Sequence, residues 1–226
     1  MSFPLAILAS GSGTNCQAMI DASQRGTLDI TIKLIASNKP SAPVLERAKK
    51  AGIPHLALDH TRFATREDFD AAMVDALLEH GCKAAVLAGY MRIVSPLFLQ
   101  RFPGPVLNLH PALLPSFPGL HGAKDALDYG VKVTGCTVHF VTEHMDNGPV
   151  IIQAVCPLKD TDDEESLLSR IHAMEHRIYP QAVEWLAEGR LTVSGRKVIL
   201  QKSVRPKALA ALQPDCFVWP PLEEGF

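Results

Sequence analysis

The first half of the chain alternates short apolar runs with segments of helical period, and no other feature narrows the fold as much. Apolar stretches at 3–9, 30–37, 55–58, 84–88 and 106–110 are each about a strand long. Between them, 16–24, 42–51 and 66–80 place apolar residues three and four apart, and Gly52 and Gly81 end the last two. Strands that alternate with helices run the same way in one sheet, joined by right-handed crossovers. The expectation is an α/β fold: a Rossmann-like, mostly parallel twisted sheet with helices on both faces. At 226 residues and 47% apolar content, the chain can fill the core of one such domain. The second half changes character. Residues 132–141 and 150–155 read as two strands, 163–188 as a long helix and 191–201 as a strand pair. One domain over 1–201 is expected, with halves 1–105 and 106–201. A loosely held tail follows over 202–226, where four of its residues are prolines.

Charge and cysteine usage exclude several function classes. A formal charge of −2 and a pI near 6.5 argue against a protein that lives on nucleic acid, which needs a basic excess. No apolar run reaches the length of a membrane span, and the opening residues are a strand's worth of chain rather than a basic-then-apolar leader. Cys16, Cys82, Cys136, Cys156 and Cys216 are odd in number and form no C-x-x-C pair. They read as reduced thiols, and the compartment as cytoplasmic.

Chemistry-bearing residues gather in the stretch 106–122, VLNLHPALLPSFPGLHG. Its first five residues alternate, so Val106, Asn108 and His110 share one strand face. Pro111 has no amide for a ladder, so the strand stops beside His110, and Pro115, Pro118 and Gly119 stiffen the loop beyond. A carboxamide and an imidazole thus stand together at a strand's carboxyl end, where open α/β sheets place ligands. The alternative is a turn-capping Asn108 and a structural His110. The loop 10–15, SGSGTN, lies between a strand and a helix, where free backbone N–H groups and the helix dipole attract anions. It lacks the third glycine of a dinucleotide fingerprint, where Cys16 stands, and the Gly-Lys-Ser/Thr of a Walker loop. A single terminal phosphate on the amides of Gly13, Thr14 and Asn15 suits it, as does a tight structural turn. Asp146, in MDNGP, is either an Asx-turn residue or a carboxylate brought to His110 to favour its charged form. His172-Ala-Met-Glu-His176 fits an inverted zinc-hydrolase pattern. A catalytic zinc needs a third ligand, and His139, Glu143 and His144 offer no recognised spacing, so no metal is expected. Without zinc, this helix turns Glu175 toward the cleft.

Together GSGTN at 11–15, LAGYMRIV at 87–94, NLHPALLPSFPGLH at 108–121, GCTVHFV at 135–141, DNGPV at 146–150 and EHRIYP at 175–180 resemble the phosphoribosylglycinamide formyltransferase family. The resemblance spans residues 7–191. It implies a formyltransferase fold and transfer of the formyl group of 10-formyltetrahydrofolate to the amine of glycinamide ribonucleotide, in purine biosynthesis. It also implies that Gly13, Thr14 and Asn15 hold the 5′-phosphate and that Glu175 meets the ribose. Arg66, Met91, Arg92, Ile93, Val94 and Asn108 would line the folate pocket, with backbone of 141–146. Asn108, His110 and Asp146 would be the catalytic set. Its partners are those two small molecules, without metal, nucleic acid or membrane, and a homodimer stays open. A methionyl-tRNA formyltransferase would carry a further basic region, a formyltetrahydrofolate hydrolase has no use for the phosphate loop, and a nucleotide-sensing module leaves Asn108, His110 and Asp146 without purpose.

Overall fold

The computed structural model describes residues 2–203, 209–210, 212 and 214–226. Strands β1 (Phe3–Leu8), β2 (Ile30–Ser37), β3 (His55–Ala57), β4 (Ala84–Leu87) and β5 (Val106–His110) run parallel in the order β3-β2-β1-β4-β5. The order reverses between β1 and β4, so crossovers leave on opposite faces and open a crevice at the strands' carboxyl ends. Beyond β5 the sheet turns antiparallel with β6 (Val133–Phe140) and β7 (Val150–Pro157). The hairpin of β8 (Leu191–Ser194) and β9 (Lys197–Leu200) adds to it through a single parallel pair, Val150 with Lys197.

The sheet is buried on both faces, which is why its parallel strands are near-continuous apolar runs. Helices α1 (Thr14–Gln24), α2 (Val44–Lys50), α5 (Gly122–Tyr129) and α6 (Glu164–Ala187) cover one face. On the other, α3 (Arg66–Glu79) and α4 (Pro96–Arg101) pack Phe69, Met73, Val74, Leu77 and Phe98 against β1, β4 and Val106. Local chemistry sets the helix starts. Thr65 Oγ1 accepts from the Asp68 amide (3.0 Å) at α3, and Ser95 Oγ from the Phe98 amide (3.3 Å) at α4. At α6, Asp163 Oδ1 accepts from Ser166 N (2.8 Å) while Ser166 Oγ accepts from Asp163 N (3.0 Å), a capping box. Along α6, Leu167, Ile171, Met174, Ile178, Ala182 and Trp185 form the stripe buried in the first face.

Two differences from the sequence expectation stand out. Helix α5 follows directly on the proline-rich loop, and its N-cap residue His121 makes no side-chain capping bond that would mark a start. The tail is not loose where it is described. Strand β11 (Phe217–Trp219) pairs antiparallel with β7, and β12 (Leu222–Glu223) pairs with β10 (Leu209–Ala210). Leu222 is fully buried, and Glu223 Oε1 accepts from Trp185 Nε1 (3.2 Å) and pairs with Arg190 Nη2 (2.8 Å). These anchors are polar contacts and strands of two or three residues, which leave no periodicity to read. Residues 204–208, 211 and 213 of that tail lie outside the described residues.

Candidate active site

The site forms where β1, β4 and β5 end. Leu107 and Leu109 pack into one core cluster and Val106 into the other, so Asn108 and His110 share the Val106 face, as the alternation requires. β5 ends at His110, ahead of Pro111. Asp146 comes from the β6–β7 connection, and its Oδ2 lies 3.5 Å from His110 Nδ1, with both side chains almost fully buried. The three residues read as a catalytic set therefore meet.

A fourth residue joins them. The β5–β6 register sets His139 directly across from Asn108. His139 Nδ1 lies 3.0 Å from the Phe140 carbonyl, which can only accept, so this nitrogen carries the proton. Burial pushes the His139 pKa down, and the neutral ring keeps a lone pair on Nε2. That lone pair takes one Nδ2 hydrogen of Asn108 at 3.2 Å. The carboxamide is thereby oriented with its second Nδ2 hydrogen left to give. His139 Nε2 also lies 3.7 Å from Asp146 Oδ1, too long for a hydrogen bond. Sequence reasoning weighed His139 only as a metal ligand, because its role depends on an antiparallel register that no local pattern reveals.

The loop between β5 and α5 closes over this group. His110 Nε2 donates to the Phe117 carbonyl at 2.7 Å, and the Gly119 amide donates to Asp146 Oδ2 at 2.8 Å. Phe117 and Asp146 hold φ of +52° and +50°, left-handed values that cost a non-glycine residue about 1 kcal/mol or more. A Cβ on Gly122 would lie 2.9 Å from His110 Nε2, so only glycine lets α5 begin against the imidazole.

The glycine-rich loop is braced from α2. Val44 N donates to the Gly11 carbonyl (3.1 Å) and Arg47 Nε to the Ser12 carbonyl (2.7 Å). Gly13 sits at φ +71°, and a Cβ there would fall 2.4 Å from Val44 Cγ2. No side chain caps α1, so its first amides point outward without a helical partner. Thr14, Gln17, Asp21, Arg25, Arg47 and His176 line a cleft of ≈380 Å³ beside that helix end, and the two arginines suit it to an anion. Asn15 Nδ2 donates to Glu175 Oε2 at 2.9 Å, so Glu175 is brought to the phosphate loop, and burial pushes its carboxyl pKa up. The rings of His172 and His176 stack 6.4 Å apart while Glu175 turns to Asn15, so these three do not converge on one point. No group of three or more metal-type ligands gathers among the described residues.

The remaining expected positions divide. Met91 and Ile93 are exposed apolar side chains just beyond β4, and the Met91 amide donates to Ser10 Oγ (2.8 Å), which itself donates to Asn38 Oδ1. Arg92 lies over the Phe69 ring, 4.7 Å from its centroid. Val94 is turned into the core, so only its backbone is left to line a pocket. Arg66 stands exposed at the start of α3, with its guanidinium 3.2 Å from Glu67.

Comparison with known proteins agrees with this architecture. The pattern of the formyl transferase family matches residues 4–183, well over half of the chain. The chain belongs to the formyl transferase family. Within it, the chain is 42% identical over 187 residues to the phosphoribosylglycinamide formyltransferase of Escherichia coli, covering 83% of this chain and 88% of that one. It is 44% identical over 192 residues to the trifunctional purine biosynthetic protein adenosine-3 of Drosophila melanogaster, covering 84% of this chain but spanning only 14% of that protein. Among solved structures, glycinamide ribonucleotide transformylase 1 from Symbiobacterium toebii superposes with a TM-score of 0.87 at 45% identity, over 89% of this chain and 95% of that one. This formyl transferase therefore shares its fold with the transformylase from Symbiobacterium toebii. Among its described residues, no helix is long and apolar enough to cross a membrane.

Proposed function

We propose that this chain transfers the formyl group of 10-formyltetrahydrofolate to the primary amine of glycinamide ribonucleotide, as a step of purine biosynthesis. The observation that carries the reading is the meeting of Asn108, His110 and Asp146 at the end of β5, in the same sheet whose β1 ends at an uncapped glycine-rich helix start. Residues 1–105 supply the ribonucleotide half: amides of Gly13, Thr14 and Asn15 for the phosphate, and Glu175, reaching in from α6, for the ribose hydroxyls. Residues 106–201 supply the catalytic half, and Arg66, Met91, Arg92, Ile93, Val94 and Asn108 border the folate. The partners are these small molecules, and the cytoplasm is the compartment in which they meet.

The chemistry needs no covalent enzyme intermediate. As the amine adds to the formyl carbon, the formyl oxygen turns anionic. Asn108 gives it the Nδ2 hydrogen that His139 leaves over, and His110 gives an N–H once its bond to the Phe117 carbonyl is released. Asp146 faces His110 Nδ1 and holds the ring in place. Collapse of the adduct breaks the bond to the folate nitrogen, which takes up the proton lost by the amine, directly or through water. Holding both substrates in attack geometry lowers the barrier further.

The test is an absorbance assay of folate release, with formyl-folate alone and with glycinamide ribonucleotide added. Turnover only with the ribonucleotide is expected. Turnover without it would make the chain a formyl-folate hydrolase, and none in either mixture would remove the activity.

A further inference from the structure

Three of the five cysteines lie near one another. Cys136 on β6 and Cys156 on β7 are buried in the first core cluster, and Cys216, half-buried just ahead of β11, packs against the same cluster. All are free thiols. The β7–β11 ladder pairs Phe217 with Val155, Val218 with Ala154 and Trp219 with Gln153. Cys216 directly precedes Phe217 and Cys156 directly follows Val155, so both thiols lie one residue beyond the last pair of that ladder.

The type of pair can be worked out. Pro220 has no amide, so the hydrogen bond that would flank a non-bonded Trp219–Gln153 pair cannot form. Trp219–Gln153 and Phe217–Val155 are therefore the hydrogen-bonded pairs, and Val218–Ala154 the non-bonded one. The ladder ends at Phe217–Val155, because Pro157 has no amide for the bond that would flank a Cys216–Cys156 pair, but that adjoining hydrogen-bonded pair holds the Cα atoms of the two strands about 5.5 Å apart. That separation is inside the range a disulfide spans. The faces agree too, because Ala154, Cys156 and Val218 all point into the first cluster. Cys136 lies opposite Ala154, so it is only a diagonal neighbour of Cys156, a wider separation. The Arg170 guanidinium faces both Cys156 and Cys216, and the Cys216 thiolate raises the pKa of the Cys156 thiol, as a group in proximity does.

We propose that Cys156 and Cys216 are an oxidisable cross-strand pair whose disulfide fastens the C-terminal strand β11 to the edge of the central sheet. The oxidant is a small-molecule disulfide of the glutathione class. The Cys216 thiolate attacks it, forming a mixed disulfide and expelling one small thiolate. The Cys156 thiolate then attacks the Cys216 sulfur, closing the protein disulfide and expelling the second. Two protein thiols lose two protons and two electrons, and one oxidant disulfide becomes two thiols. Cys216 is the entry point because Cys156 is 1% exposed. Burial raises both thiol pKa values, so the exchange is slow, and the Arg170 guanidinium works against that rise. The closed loop takes in β8, β9 and all of α6, so the link restrains most of the chain that follows the catalytic connection.

The experiment incubates the full chain with glutathione disulfide under native conditions and maps the products by non-reducing peptide mass spectrometry. The expected product is a Cys156–Cys216 link, two thiols fewer by titration, and a melting midpoint raised by about 5 °C that a reductant reverses. Cys216→Ser, at a half-buried position, should fold as wild type, form no link and show no shift. Only glutathione adducts, a link at another pair such as Cys136–Cys156, or no reaction while wild type keeps its native circular dichroism would each overturn the proposal.

Discussion

At the scale of single residues, the account rests on one amide hydrogen and one imidazole hydrogen. Removing one oxyanion donor costs about 10²-fold or more in turnover, so His110→Ala should lose that much when both substrates saturate, with the ribonucleotide KM little changed. His139 does not reach the reacting atoms in this arrangement but takes the other Asn108 hydrogen. His139→Ala should therefore lower kcat by about tenfold to 10²-fold through misplacement of the carboxamide, and steady-state kinetics should show the ribonucleotide KM unmoved. A KM effect without a kcat effect would assign His139 to binding instead. Glu175 belongs to a different balance. Its carboxyl pKa is raised by burial, so the stability linked to it is complete below the unfolded-state value and is lost as pH rises through the folded value. Glu175→Gln should thus melt higher than wild type near neutral pH, with the gap narrowing as pH falls toward 4.5, while ribonucleotide affinity drops. A gap that widens on acidification would contradict the sign.

At the scale of elements, α6 ties the site together. The fully buried Tyr179 hydroxyl lies 3.1 Å from the Leu87 carbonyl and 3.0 Å from the Leu107 carbonyl, at the ends of β4 and within β5. Tyr179→Phe leaves those carbonyls without it and should cost about 1–2 kcal/mol, a fall in melting midpoint of roughly 2–8 °C. An unchanged midpoint would mean that the hydroxyl positions nothing. Much of this level was legible beforehand, because strand–helix alternation and Gly52 and Gly81 as stops are local signals. Asn108 and His110 were legible for the same reason: residues two apart on a strand share a face. The contact between Asn108 and His139, and the bonds from the 111–121 loop to His110 and Asp146, were not. They depend on register, on a left-handed Phe117, a residue type that does not announce that conformation, and on long-range partners of Asp146 that its turn signal does not specify.

At the scale of the whole molecule, two kinds of sheet divide the work. The parallel half brings strand ends and the uncapped start of α1 to one edge, and the antiparallel half carries the β6–β7 connection with Asp146 and anchors the C-terminus. Glu223 bridges Trp185 on α6 and Arg190 just beyond it, and all three are buried. Glu223→Ala removes both bonds and should cost about 2 kcal/mol or more, read as a midpoint lower by at least about 4 °C with the kinetics of folded enzyme preserved. Loss of activity without loss of stability would place the C-terminal segment in the chemistry. The short strands that hold this segment read as a loose tail in the sequence, because composition reports prolines and cannot report a buried ion pair. The central claim concerns Asn108 and the anionic oxygen. The most direct measurement is the single-turnover rate of formyl transfer by Asn108→Ala with both substrates saturating. A rate about 10²-fold or more below wild type, with ribonucleotide affinity retained, is the predicted result; a rate within about threefold of wild type would contradict the claim.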